Sequence, residues 1–94
     1  MIYQKLIFRV HAIRRMAERK IEIRDVRQVL ARQEIIEEYP DDFPYQSRLV
    51  LGWSRGRPLH VVYADNHTDR ETIVITVYEP DPSQWGPDFK KRKP

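Results

Sequence analysis

The apolar residues of this chain are spaced for helices in its first third and for strands in most of the rest. Between Arg9 and Lys20 they return every three or four residues, which predicts an amphipathic helix. Its predicted inward stripe comprises Val10, Ile13, Met16 and Ala17. A second helix is predicted from Ile23 to Arg32, with an inward stripe of Val26, Val29 and Leu30. Residues 2–8 form either a short strand or the entry to the first helix.

Runs of β-branched and aromatic residues predict strands in the remainder of the chain. The first is predicted from Glu34 to Tyr39 and the second from Ser47 to Trp53. Prolines interrupt the segment 40–44 between them, which predicts a loop because proline cannot donate to a strand ladder. Two further runs, 58–63 and 72–78, predict the inner strands of the sheet.

The turn between the second and third predicted strands decides which residues share a face of the sheet. A two-residue loop pairs Leu51 with His60, whereas a three-residue loop over 54–56 pairs Leu51 with Leu59. The three-residue loop is preferred because it keeps the apolar residues on one face. In the next strand pair we expect His60 to lie opposite Thr76.

These registers predict one face that buries against the helices and a second face that is half polar. The first comprises Leu49, Leu51, Trp53, Leu59, Val61, Tyr63, Ile73, Ile75 and Val77. The second comprises Arg48, Val50, Gly52, His60, Val62, Val74, Thr76 and Tyr78. Trp85 and Phe89 follow in a proline-broken stretch, and we expect them to cover part of the second face or to bind a partner. The predicted fold class is α+β, with two N-terminal helices on one face of a three- to four-stranded antiparallel sheet and an irregular tail from about residue 81.

The composition excludes several classes of protein. A chain of 94 residues fits a single domain, here 1–94. The absence of cysteine excludes disulfides and cysteine-based zinc sites. No apolar run approaches the length of a membrane helix, and the N-terminus does not resemble a signal peptide. We therefore expect a soluble cytoplasmic protein with no membrane association.

Charge is unevenly distributed around a net value of +3. Residues 1–32 contain nine Lys and Arg against three acids, and 90–93 form a basic run. A basic face favours polyanions such as RNA; the alternative is a solvated helix surface with a disordered tail. The segment Glu34 to Asp42 contains five acids and no base. We expect that segment to face away from an RNA site or to contact the basic helix surface.

The three histidines differ in their predicted environments. His67 lies in a polar loop and is expected at the surface, and His11 lies on the polar face of the first helix, one turn from Arg15. His60 occupies an inner strand, where it is either a reactive group or a hydrogen-bonded histidine that fixes the fold. No histidine pair has metal-ligand spacing, so we expect no metal and no cofactor.

A histidine, an arginine and a tyrosine on one sheet face suit metal-free RNA cleavage, in which the 2′-hydroxyl attacks the adjacent phosphate. Imidazole can carry the proton steps, guanidinium can bind the phosphate, and tyrosine can stack on a base or donate a proton. The candidate catalytic residues are His60, Arg48 and Tyr78, with His11 and Arg15 in second rank. The candidate RNA-binding residues are Arg55, Arg57 and Thr76.

The chain also resembles a known family through motifs spread over His11 to Arg92. The motifs are His11-Ala12, Arg15-Met16, Arg19, Asp25-Val26, Val29-Leu30, Leu51-Gly52-Trp53, Arg57 to Val62, Ile75 to Pro80 and Trp85. Together they resemble the bacterial family called domain of unknown function 4258. The order of elements is similar to that of the RelE and BrnT toxins of toxin–antitoxin pairs. That resemblance implies RNA binding on the sheet and a cognate antitoxin, with a zinc-finger protein like MqsA, the partner of MqsR toxins, as one form of it.

Two classes of function follow from these observations, and a third is weaker. The leading hypothesis is a toxin-like endoribonuclease that cleaves mRNA without a metal and is silenced by an antitoxin. The competing hypothesis is a non-catalytic module that uses the same RelE-like fold to hold RNA or a protein. An inactive relative that serves only in protein assembly is the third.

Overall fold

The computed structural model describes residues 3 and 5–94 and gives an α+β fold with two helices and a five-stranded mixed sheet. In chain order the elements are β1 (Lys5–Phe8), α1 (Val10–Arg19), α2 (Ile23–Ala31), β2 (Glu34–Tyr39), β3 (Ser47–Ser54), β4 (Arg57–Asn66) and β5 (Glu71–Tyr78). The strand order across the sheet is β1-β5-β4-β3-β2. Strand β1 pairs in parallel with β5, and the other pairs are antiparallel. We expected a three- to four-stranded antiparallel sheet, but the sheet has a fifth strand, because part of segment 2–8 forms a parallel edge strand. Residues 2 and 4 of that segment lie outside the described residues.

Both predicted helices are confirmed, and the start of α2 has a clear physical cause. Glu22 lies at its N-cap, where the side chains of Glu22 and Asp25 each accept a hydrogen bond from the backbone N–H of the other. The bond from Glu22 N to Asp25 Oδ2 measures 2.8 Å. This reciprocal capping replaces the Ser, Thr, Asp or Asn usually found at the N-cap. Helix α1 ends at Lys20, whose φ of 56° is left-handed.

The buried stripe of α2 agrees with the prediction, whereas that of α1 differs. Val26, Val29 and Leu30 are buried. On α1 the buried residues are Ala12 and Met16, while Val10 and Ile13 are 64% and 53% exposed. Helix α1 is thus rotated so that small Ala12 meets the sheet, and part of its apolar stripe faces outward.

The β3–β4 turn contains two residues, so the predicted three-residue loop is wrong. Arg55 and Gly56 both have positive φ, 52° and 75°, as a type I′ turn requires. Ser54 pairs with Arg57 and Leu51 pairs with His60. The direction of every β3 side chain is therefore reversed relative to the prediction.

The side of the sheet that packs on the helices is called here the helix side. Its buried sheet residues are Val50, Leu59, Val61, Tyr63, Val74 and Val77. Gly52 also lies on this side, and a Cβ placed on it would approach Val29 Cα to 2.9 Å, so α2 packs directly on its backbone. The assignments for β4 were correct, but Val50, Gly52 and Val74 were wrongly assigned to the opposite side. Conversely, four residues predicted on the helix side lie on the opposite side: Leu49, Leu51, Trp53 and Ile73. His60 pairs with Tyr78 rather than Thr76, but this two-residue shift changes no face of β5. The face of Val74 changes because of the bulge between Val62 and Tyr63, which places Val74 opposite Tyr63.

The opposite side is covered by residues 81–94, called here the strap. Trp85 is buried within it, and Phe89 meets Trp53 edge to face with ring centroids 6.1 Å apart. The strap closes on itself through Lys93 N, which donates to the Gln84 carbonyl at 2.8 Å. The expected docking of Trp85 and Phe89 on the sheet is confirmed, and the alternative of a disordered tail is wrong. No helix among residues 3 and 5–94 is long and apolar enough to cross a membrane.

Candidate active site

His60 lies in the middle of β4 and points to the strap side of the sheet, where it is fully buried. Its Nδ1 lies 3.1 Å from the Tyr78 hydroxyl and its Nε2 lies 2.8 Å from the Phe89 carbonyl oxygen. The Trp85 ring meets the imidazole edge on, with centroids 4.4 Å apart. Both ring nitrogens are therefore occupied, and the strap covers the ring.

The partners of His60 define its protonation state. Because the Phe89 carbonyl can only accept, Nε2 carries the proton and donates, which leaves Nδ1 to accept from the Tyr78 hydroxyl. Burial lowers the pKa of His60, while the bond to the Phe89 carbonyl opposes that effect. The ring is thus a neutral, fully bonded imidazole near pH 7.

The prediction of a solvent-open imidazole at the centre of the site is consequently wrong in one respect. His60 does point away from the helices and does reach Tyr78, as expected. The strap nevertheless seals it, so no RNA atom can contact it in this conformation. The geometry agrees with the alternative left open for His60, a hydrogen-bonded histidine that fixes the fold.

Arg48 does not join His60, because the two lie on opposite sides of the sheet. It pairs with Tyr63 across the β3–β4 ladder, and its guanidinium carbon lies 5.7 Å from the centroid of the Tyr63 ring. Tyr63 belongs to the helix-side core. The predicted grouping of Arg48 with His60 followed from the wrong turn and is therefore wrong.

The two arginines of the hairpin are engaged in ion pairs. Arg55 donates from Nε and from one terminal nitrogen to the two oxygens of buried Asp25, at 2.9 and 2.6 Å. Arg57 pairs with Glu79 at 3.0 Å and donates to the last carbonyls of α1. These contacts join the hairpin to both helices, so binding RNA would compete with structural bonds.

The remaining candidates are separated from His60 or lie beside it. His11 is exposed on α1 and Arg15, one turn later, is half-buried, and α1 packs on the other side of the sheet. Thr76 is half-buried on the strap side, opposite Val62. Of the eight predicted site residues, the structure therefore brings together His60, Tyr78 and Thr76.

Sequence reasoning missed a second group of polar side chains beside Tyr78. Glu37 on β2 accepts from Tyr39 at 3.0 Å and from Arg92 Nε of the strap at 3.2 Å. The side chains of Glu37 and Arg92 remain 35% and 60% exposed, so a ligand can reach both. The Arg92 guanidinium also lies 4.6 Å over the Trp85 ring. No local pattern marks this pair, because 55 positions separate its members.

The electrostatics indicate that these groups form one cluster. Burial raises the pKa of Tyr78, with Arg92 opposing and Tyr39 and Glu37 adding to the effect. Burial also raises the pKa of Tyr39, and the hydrogen bond to the Glu37 carboxylate acts in the same direction. We call Glu37, Tyr39, Tyr78 and Arg92, with His60 beneath them, the strap-side cluster.

The position of Glu37 also corrects the prediction for the acidic segment. Glu34 and Glu37 face the same side as His60 and pair with Lys90 at 2.8 Å and with Arg92 at 3.2 Å. The prediction that the segment faces away from the candidate site is therefore wrong for Glu34 and Glu37, whose charge is partly neutralised by the basic strap. Glu38 does lie on the helix side, opposite Arg48.

A separate cleft of about 250 Å³ lies at the far end of the sheet, between the loops that follow β2 and β4. Arg48, Tyr45, Asp65 and His67 are among its lining residues. His67 is exposed, as predicted, and its Nδ1 lies 2.9 Å from the Tyr3 hydroxyl. Asp65 accepts from Thr72 at 2.6 Å. Arg48 therefore lines this polar cleft and not the site around His60.

Metal ligands are not clustered in the part of the chain that the structure describes. Within residues 3 and 5–94, no group of three or more His, Asp or Glu side chains is placed to hold a metal ion.

Comparison with known proteins provides one identification. Residues 8–79 match the model of the family described as a domain of unknown function, DUF4258. The chain belongs to the DUF4258 family. No curated protein and no solved structure matches it. The DUF4258 description names no reaction, so the function must be argued from the geometry of the site.

Proposed function

We propose that this DUF4258 protein is a toxin-like, metal-independent endoribonuclease that acts on mRNA in the cytoplasm and is silenced by a cognate antitoxin. The observation that carries the proposal is the strap-side cluster. In it an accessible carboxylate and an accessible guanidinium lie 3.2 Å apart, flanked by two phenols. The two helices on a small sheet support a RelE- or BrnT-like toxin by analogy of fold alone.

The first step requires a base, and Glu37 is suited to it. Its carboxylate takes the proton of the ribose 2′-hydroxyl as that oxygen attacks the adjacent phosphorus atom. Arg92 holds the phosphate through those N–H donors that do not bind Glu37, and it stabilises the added negative charge. Arg92 thus takes the role that the sequence assigned to Arg48.

The second step requires an acid on the leaving side. The Tyr78 hydroxyl turns from His60 and gives its proton to the departing 5′-oxygen, which leaves as a 5′-hydroxyl. The other fragment keeps a 2′,3′-cyclic phosphate. The proton held by Glu37 then returns to Tyr78 through solvent, so the cycle consumes no further reactant.

In this scheme His60 is a positioning residue. It touches no substrate, but it holds the Tyr78 phenol at 3.1 Å and fixes the strap through the Phe89 carbonyl. The strap in turn carries Arg92. Loss of the imidazole would therefore misplace two members of the cluster at once.

The basic strap supports RNA as the substrate class. Lys91 and Lys93 flank Arg92, are exposed, and form no ion pair with an acid of the described residues. They would attract the phosphate backbone on either side of the scissile bond, and this attraction would weaken as salt rises.

The test compares two neighbouring glutamates. Glu37→Gln removes the proposed base. Glu38→Gln changes an exposed residue on the helix side, which lies opposite Arg48 in the β2–β3 ladder. Purified proteins are incubated with a single-stranded RNA in EDTA, and the product ends are identified. We expect wild type and Glu38→Gln to release 2′,3′-cyclic phosphates, and Glu37→Gln to be slower by about 10²–10⁴-fold. RNA left intact by the wild type, or cleaved equally fast by Glu37→Gln, would refute the proposal.

One observation favours the second candidate, a non-catalytic RNA-binding module. His60 is sealed, which suits a structural role. If the wild type binds RNA without cleaving it, and Arg92→Gln weakens that binding, the binding module replaces the enzyme as the proposed function.

A further inference from the structure

The apolar stripe of α1 is wider than the sheet covers. Of its four predicted members, only Met16 is buried. Val10 is 64% exposed and Ile13 is 53% exposed. Ile23, the first residue of α2, is also 53% exposed. A small domain that leaves these residues in water has an apolar surface that its own fold does not explain.

Ile13 and Ile23 border a groove between the helices, called here the α1–α2 groove, and Val10 lies outside its lining. Its volume is about 630 Å³, and its apolar lining comprises Phe8, Ile13, Met16, Ala17, Ile21 and Ile23. Met16 and Ile21 are buried and form its floor, while Ile13 and Ile23 form its two walls. The groove therefore has the shape that receives one apolar stripe of a helix.

Two arginines lie beside the residues that line the groove, one on each helix, and they are taken here as its rim. Arg14 lies one turn from Val10 and Arg27 lies one turn from Ile23, so each lies beside an exposed apolar residue. Both arginines are exposed, and neither forms an ion pair with an acid among residues 3 and 5–94. The two charged residues of the lining itself, Glu22 and Arg24, pair with each other at 2.8 Å, so the rim arginines supply the unpaired positive charge.

We propose that the α1–α2 groove binds an amphipathic helix of a partner protein, whose apolar stripe is flanked by acidic residues. The apolar walls select the stripe, and the unpaired arginines on the rim select the acids. A second copy of this chain is a poor occupant, because it would bring the same basic rims together. The inference holds whether or not the chain cleaves RNA, since the groove and the strap-side cluster lie on opposite sides of the sheet.

The test uses a designed helical peptide as the probe. It carries leucines at i, i+3, i+4 and i+7 with glutamates beside them, and a counterpart carries lysines in place of the glutamates. Binding of each labelled peptide is followed by fluorescence anisotropy. We expect the acidic peptide to bind with a Kd of about 1–100 μM and the basic counterpart to bind about tenfold more weakly.

Three isoleucine variants locate the site. Ile13→Gln and Ile23→Gln change the walls of the groove, whereas Ile35→Gln changes a residue on β2 that is 49% exposed and outside the groove. All three positions are exposed, so each variant should fold, which thermal melting verifies. We expect the first two to weaken acidic peptide binding by about tenfold and Ile35→Gln by less than about twofold.

Three outcomes would overturn the proposal. One is no binding of the acidic peptide at about 1 mM, well above the expected range. A second is an equal loss of affinity in Ile35→Gln. A third is a dimer of the wild type that Ile13→Gln dissolves, since it would assign the groove to a second copy.

Discussion

Replacing His60 by alanine should destabilise the protein severely, because the imidazole connects β4, β5 and the strap. The ring is fully buried, and its two nitrogens bond to the Tyr78 hydroxyl and the Phe89 carbonyl. Alanine leaves both partners, which are part-buried, without this bond. It also leaves a space beneath the Trp85 ring, which now packs on the imidazole at 4.4 Å.

The size of the effect follows from these two losses. An unpaired buried polar group costs about 1–3 kcal/mol. Removing a large buried side chain costs about 2–5 kcal/mol, including its cavity. Since the losses share the same space, we expect a combined decrease of about 3–5 kcal/mol in the free energy of unfolding. A chain of this length is stable by only about 5–14 kcal/mol, so the melting temperature should fall by on the order of 15–25 °C.

The assay is urea or thermal unfolding followed by circular dichroism. His11→Ala is the matched control, because His11 is exposed on α1 and its loss should change stability by less than about 0.5 kcal/mol. If His60→Ala does not fold, His60→Gln retains a hydrogen-bonding side chain and should be intermediate. Equal melting temperatures for His60→Ala and His11→Ala would show that the imidazole is not buried under the strap.

The same residue should make the stability depend on pH. Burial lowers the pKa of His60 in the folded state, so between that value and its unfolded value the unfolded chain binds more protons. The contribution of the neutral ring is therefore complete above about pH 6.5 and is lost as the pH falls toward the folded pKa. The slope cannot exceed about 1.4 kcal/mol per pH unit for one proton. His60→Gln should remove this component, and an unchanged profile in that variant would contradict the assignment.

Two further substitutions test the packing of α2. Gly52→Ala should lower the free energy of unfolding by about 1–3 kcal/mol, since the new Cβ would lie 2.9 Å from Val29 Cα, whereas Gly86→Ala meets nothing closer than 3.5 Å. Equal melting curves for these two variants would show that α2 can move aside. Arg55→Gln should reduce stability at neutral pH, because Asp25 is buried and its pKa is held well below its usual range against the cost of burial, partly by Arg55. The stability that Asp25 contributes is present above about pH 4 and is lost as the pH falls further. Arg55→Gln should therefore make the free energy of unfolding, measured by urea titration, depend less steeply on pH below about pH 4. An unchanged pH dependence in this variant would contradict the role of Arg55.

The elements of the fold were largely readable from the sequence, because each has a local cause. The 3.6-residue period predicted both helices, and β2 was predicted at Glu34 to Tyr39, where it lies. Trp85 was expected to dock because a large ring in a polar tail needs a site. Strand β1 was left undecided, since a parallel edge strand pairs with a segment more than sixty residues away, Lys5 with Glu71.

The faces of β3 could not be obtained from apolar alternation, because this sheet is covered on both sides. Leu49, Val50 and Leu51 are consecutive and all are buried, two of them on the strap side and one on the helix side. A strand buried on both faces has no alternation from which to fix its register. The chemistry of the turn was the better guide here, since Gly56 in a two-residue type I′ turn predicts the observed pairing.

The same turn explains why the residues of the observed cluster differ from those of the predicted site. Because the two-residue turn reverses the predicted faces of β3, Arg48 lies on the helix side and its guanidinium is not beside Tyr78. The strap supplies another one, since Arg92 reaches the cluster through its bond to Glu37. Where a site requires one cation near one phenol, any segment that folds over the site can supply that cation. Such a residue is invisible in a local pattern, and here its position depends on the same imidazole that holds the strap to the sheet.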